Sequence, residues 1–73
     1  MSYDYSKLSG RIVEKCVTQA RFAEAMGLSE RSISLKLNGK VGWKQAEILN
    51  ACRILSIPNG DIHRYFFAQK VQD

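Results

Sequence analysis

The stretch that decides the fold is Thr18-Gln19-Ala20-Arg21-Phe22-Ala23-Glu24-Ala25-Met26-Gly27-Leu28-Ser29-Glu30-Arg31-Ser32-Ile33-Ser34-Leu35-Lys36-Leu37-Asn38-Gly39-Lys40. Thr18 is suited to cap a helix, because its hydroxyl can accept from an amide of the first turn that has no partner in the helix. A helix over Gln19–Met26 puts Phe22, Ala23 and Met26 on one inward face. Gly27 stops it, since glycine takes the left-handed conformation of a helix C-cap at little steric cost. Leu28 follows as a buried turn residue, and Ser29 caps a helix over Glu30–Leu37. Ile33 and Leu37 give this helix a narrow apolar stripe, so it is half exposed, and Asn38-Gly39 ends it with turn chemistry. Two short helices joined by a glycine-containing turn of three residues match the geometry of a DNA-binding helix-turn-helix, here over about residues 18–38. Ala23 is small where the helices approach, and Leu28 and Ile33 plug the pair onto a core.

Working outward, a helix over residues 6–15 carries Leu8 and Ile12, with Cys16 continuing their four-residue spacing. A fourth helix over residues 44–55 carries Ile48, Ala51, Cys52 and Leu55 at core spacing. Residues 56–60 read as a connector. A last short helix over residues 59–67 presents Ile62 and Phe66 on one face, with Tyr65 beside them. The polar tail from Ala68 to Asp73 is expected to fray. Trp43 reads as a partly buried anchor for the Val41-Gly42 turn at the start of the fourth helix. Tyr3 and Tyr5 have no role legible in the sequence. The expected fold is all-α, with five helices in a single domain over residues 1–73. At this size a domain buries only about 60% of its unfolded surface, so every element has to contribute to one small core.

The net charge of +4 is modest, but its distribution is uneven. Between Arg31 and Ala46 lie four cations, Arg31, Lys36, Lys40 and Lys44, and no acid. A one-sided basic segment points to a polyanionic partner, though short basic runs also serve as solvated surface. Cys16 and Cys52 form neither a disulfide framework nor a zinc set, because His63 is the single histidine and no CxxC pair occurs. Both read as small buried hydrophobes. One histidine and two core cysteines cannot assemble a nucleophile, base and orienting group, so an enzyme, a metal, a cofactor and a small-molecule substrate are not expected. The apolar runs are too short to span a membrane, and the N-terminal residues lack a signal-peptide pattern. The expected location is the cytoplasm.

Residues 19–29, Ser32-Ile33-Ser34 and Leu37-Asn38-Gly39-Lys40 together resemble the lambda-repressor-like, Cro-type regulators. The resemblance extends through the fourth helix to Ile57-Pro58, Asp61-Ile62 and Tyr65-Phe66-Phe67, covering nearly the whole chain. It is similar over its length to the small Cro-like proteins of temperate phages, including modulators that work beside a phage repressor. Lys36 departs from the pattern by standing where many relatives carry an apolar residue, and Arg53 adds a charge to the fourth helix.

The resemblance implies a third helix lying in the major groove, with Ser29, Glu30, Arg31, Ser34 and Leu35 facing the bases. Arg31 suits bidentate contact with guanine, or else clamps a phosphate or pairs with Glu24 or Glu30. Glu30 either accepts from cytosine or complements the helix dipole. Ser34 permits close approach, and Leu35 either touches a thymine methyl or is a surface leucine. The resemblance also implies phosphate contacts for Gln19, capped by Thr18, and for Asn38, Lys40 and Lys44; plain solubility is the competing role of the lysines. Ile62, Tyr65, Phe66 and Phe67 are many large apolar groups for one short helix, so some either close the core or meet a second subunit or partner. The leading expectation is a sequence-specific, Cro-like repressor binding double-stranded operator DNA as a homodimer. The alternative is a protein-binding modulator, an antirepressor or corepressor, that acts by complexing a partner phage repressor.

Overall fold

The computed structural model describes residues 3–70. Five α-helices follow in order: α1 (Ser6–Cys16), α2 (Gln19–Met26), α3 (Glu30–Leu37), α4 (Gln45–Leu55) and α5 (Ile62–Phe66). A 3₁₀ turn over Asn59–Asp61 leads into α5, so the last helix begins later than its apolar pattern implied and ends before Phe67. The fourth helix likewise begins one residue late, with Lys44 as its N-cap. Among the described residues the only β pairing is one antiparallel bridge between Tyr3 and Gln69, reinforced where the Asp4 N–H donates to the Ala68 carbonyl at 2.7 Å. The C-terminal stretch is therefore held through residues 68 and 69 rather than frayed from Ala68; residues 71–73 of that expectation lie outside the described residues.

Helix α2 is the hub, packing on α1, α3 and α4, while α1 also meets α4 and α5. One core results, built on Leu8, Ile12, Phe22, Ile33, Leu55 and Phe66, all but fully buried. Ala23 is buried as its small size at the α2–α3 approach requires, whereas Leu28 and Cys16 are only half-buried against the core's edge. Tyr5 joins the core, and burial raises the pKa of its hydroxyl above the ordinary tyrosine value. The thiol of Cys52 is raised for the same reason, which keeps it protonated and inert.

The junctions are closed by both side-chain caps and backbone bonds. Thr18 Oγ1 accepts from the Arg21 N–H and Ser29 Oγ from the Ser32 N–H. Gly27 sits at φ +73°, and the Leu28 N–H returns to the Ala23 carbonyl. The same closing pattern recurs after α3, where Gly39 also lies at φ +73° and the Lys40 N–H reaches the Leu35 carbonyl. After α4 the left-handed residue is Ser56. Arg11 reaches across from α1 to that end: its Nε donates to the Leu55 carbonyl at 2.8 Å and its Nη2 to the Ser56 carbonyl at 2.9 Å. Carbonyls at a helix C-terminus have no intrahelical partner, and a guanidinium satisfies two at once.

The α1–α2 junction is different. Val17 stands at φ +73°, ψ −50°, with the Thr18 N–H donating back to the Cys16 carbonyl at 2.8 Å. This is a γ-turn centred on a β-branched residue, a conformation that costs about 1–3 kcal/mol. Its side chain is 62% exposed, so little burial offsets that strain. Val17→Gly is expected to raise stability by about 0.5–1 kcal/mol in urea denaturation, relieved strain outweighing the extra unfolded-state entropy of glycine. A destabilised Val17→Gly would show that the valine side chain holds the junction. Arg11→Met is expected to cost about 1.5–3 kcal/mol in the same assay by leaving the end of α4 open.

Candidate functional site

The residues expected to face a partner lie along the start of α2, the length of α3 and the segment after it. Thr18, Ser29, Glu30, Arg31, Asn38, Lys40 and Lys44 are exposed; Gln19, Ser34 and Leu35 are half-buried. Several have internal work. The hydroxyls of Thr18 and Ser29 accept the capping bonds of α2 and α3. The Asn38 side-chain amide donates to the Ser34 carbonyl at 2.9 Å, closing the last turn of α3. Arg31 makes no ion pair with Glu24, Glu30 or any other acid among the described residues, and its guanidinium faces solvent. Glu30, in the first turn of α3, stands where a carboxylate complements the helix dipole.

The basic segment is weaker than its composition indicates. Lys36, counted among the cations of the basic segment and standing where many relatives carry an apolar residue, is only 3% exposed. Its ammonium sits 2.9 Å from Glu47 Oε1, donates to the Gly42 carbonyl at 3.0 Å and lies 5.9 Å from the centre of the Trp43 ring. Glu47 Oε1 also accepts from the Lys44 N–H at 2.8 Å, which caps α4. Burial pushes the Glu47 carboxyl upward, but the Lys44 amide, the Lys36 bond and the charges of both lysines outweigh it, leaving its pKa below the ordinary glutamate value. Of the four cations read from the sequence, three therefore face solvent. The signal for this pair lay in the register: Lys36 falls three residues after Ile33, on the buried side, and Glu47 is the acid in the first turn of the next helix.

The N-terminal tyrosines find their role in an aromatic cluster. The ring of Trp43 meets Phe66 edge-on at 5.2 Å and Tyr5 at 6.4 Å; Tyr3 contacts Tyr5 at 6.3 Å and Phe67 edge-on at 5.8 Å. Trp43 is half-buried, and its Nε1 is buried with no hydrogen-bond partner. Phe66, expected as a possible partner contact, is instead at the centre of the core at 1% exposure, because Trp43, supplied by the α3–α4 loop, covers it. Ile62 and Tyr65 are half-buried against the same core, Tyr65 beneath the Lys7 ammonium at 5.2 Å. Phe67 is left exposed. Among the described residues no helix is long and apolar enough to cross a membrane, and no three of His, Cys, Asp and Glu are grouped to hold a metal ion.

The profile of a family described as "Protein of unknown function (DUF739)" matches residues 1–69. A comparison with curated proteins gives no match. The solution structure of the modulator of repression of the temperate bacteriophage TP901-1 from Lactococcus lactis is 61% identical to this chain, covers 99% of this chain and 97% of its own, and superposes with a TM-score of 0.81. The expected likeness to phage regulators is met at that level; the family description names no helix-turn-helix class.

Removing the Glu47 carboxylate strands a buried ammonium, so Glu47→Ala is expected to cost about 3–5 kcal/mol. The double variant Lys36→Met/Glu47→Gln, which removes both charges and keeps the volume, is expected within about 1.5 kcal/mol of the wild type. Because the Glu47 pKa is lowered in the folded state, its contribution is present above the ordinary glutamate value and is lost as pH falls through the folded one. Acid titrations followed by circular dichroism should show that loss flattened in the double variant.

Proposed function

The chain belongs to that family, and on this premise we propose that it is a modulator of phage repression that acts in the bacterial cytoplasm by complexing a partner phage repressor. The observation that carries this reading is the 61% identity, held over nearly the full length of both chains, with a phage modulator of repression. Two features of the surface support it. One cation of the basic segment is neutralised internally by Glu47, and an exposed acid, Glu30, opens the helix that would face DNA phosphates. Exposed apolar side chains, among them Tyr3, Val41 and Phe67, suit a protein partner better than a phosphate backbone. This function needs no cofactor, metal or small-molecule substrate.

A second reading is favoured by the α2–turn–α3 unit. Gly27 in its left-handed conformation and the two hydroxyl caps are what a lambda-repressor-like helix-turn-helix requires. In that role Arg31 reads a base, Ser34 and Leu35 approach the groove floor, and Thr18, Gln19, Asn38, Lys40 and Lys44 meet phosphates. A homodimer would then supply two half-sites about 34 Å apart.

Light scattering on mixtures with the phage's own repressor separates the two. The modulator reading predicts a complex containing both proteins, formed without DNA. It also predicts that Arg31→Ala, like the wild type, shows no operator-specific binding as an isolated chain, because no base depends on Arg31. No mixed complex, together with salt-sensitive binding of the chain alone to the operator, would favour the second reading.

A further inference from the structure

Three of the large apolar side chains left exposed, Tyr3, Val41 and Phe67, stand around one hollow of about 350 Å³ walled by Trp43, Ile48 and Phe66. It lies between the N-terminal arm, the loop joining α3 to α4, and the end of α5. Gly39 and Gly42 contribute backbone to it without side chains, which keeps the hollow open. Among the described residues none that lines it is charged.

Two lysines adjoin its lining residues in the chain. Lys40 lies between Gly39 and Val41, and Lys44 follows Trp43; both are exposed. Lys70 lines an adjoining hollow that shares Tyr3, Tyr5 and Gly39. That second hollow also holds Asp4, whose carboxylate accepts from the Ser6 N–H at 2.9 Å and the Ser6 hydroxyl at 2.6 Å and keeps its charge against Lys70, so these two offset each other. Glu47, one turn into α4, is consumed by Lys36.

An apolar hollow with two exposed lysines, Lys40 and Lys44, next in the chain to its lining residues matches an occupant with an apolar side chain flanked by carboxylates. A nucleic-acid backbone would satisfy the lysines and leave the aromatic wall facing water. We propose that this groove is the docking site for an acidic segment of a partner protein, its apolar anchor seated among Val41, Trp43 and Phe67 and its carboxylates paired with Lys40 and Lys44. The inference rests on the reading that the chain acts through a partner protein, and it locates the contact in the groove instead of on the N-terminal turn of α3.

The test is an amide NMR titration of the full chain with a synthetic octapeptide, a central Trp-Leu pair flanked on both sides by glutamates. Shifts are expected to gather on Tyr3, on residues 39–43 and on Phe67, to shrink with added salt, and to be absent with lysines in place of the glutamates. Val41→Asp and Phe67→Ser, both at exposed positions and checked for folding by thermal melts, should each weaken peptide and repressor about tenfold, which is about 1.4 kcal/mol. Groove amides unmoved by the peptide would overturn the proposal. So would a duplex DNA that shifts the same amides as strongly. A repressor bound equally by wild type and both variants would overturn the groove while leaving the modulator function standing. Peptide binding in the groove without any repressor binding would sustain the groove and remove the modulator function.

Discussion

One carboxylate oxygen, Oε1 of Glu47, accepts from the Lys36 ammonium at 2.9 Å and from the Lys44 amide at 2.8 Å, and much of the α3–α4 region is arranged around it. The first bond ties the end of α3 to the start of α4; the second starts α4. The ammonium also holds the Gly42 carbonyl and lies under Trp43, so the loop between the helices is fixed along its length. Trp43 in turn covers Phe66 and meets Tyr5, which connects the N-terminal arm and α5 to the same point. A buried ion pair of this kind is weak evidence for net stability, because desolvation of both charges offsets their attraction. Its consequence here is geometric: it specifies where the loop and the tryptophan sit.

The pair also changes the electrostatics of the outer surface. Lys36, on the buried side of α3, is neutralised by Glu47, leaving Arg31, Lys40 and Lys44 as the solvent-facing cations of the basic segment, with the acid Glu30 next to Arg31. Phosphate binding scales with the number of cations presented, each adding to the salt slope of the complex. A surface with fewer cations and more exposed apolar groups is better matched to a protein, in agreement with the full-length likeness to a phage modulator of repression.

Local chemistry made the helices legible in the sequence. Thr18, Gly27 and Ser29 act through bonds to residues three to five positions away, and α2 and α3 begin and end where those residues place them. Boundaries slipped where the backbone tightened, as at the 3₁₀ turn before α5. Long-range pairings were not legible. Arg11 meets Leu55 and Ser56 across 44 and 45 positions, and nothing in the α1 pattern marks it as a cap for another helix. Tyr3 and Tyr5 gained meaning only when the chain ends paired through Gln69. Whether Phe66 closes the core or meets a partner stayed open in the sequence, because Trp43, its cover, comes from a loop that helical periodicity does not describe.

The central claim is that this protein changes repression through the repressor and not through its own grip on the operator. Nuclease footprinting of operator DNA with the chain alone, the repressor alone and both together tests this most directly. The account predicts no protection by the chain alone and an altered repressor footprint when both are present. A distinct footprint from the chain alone, unchanged by the repressor, would contradict it.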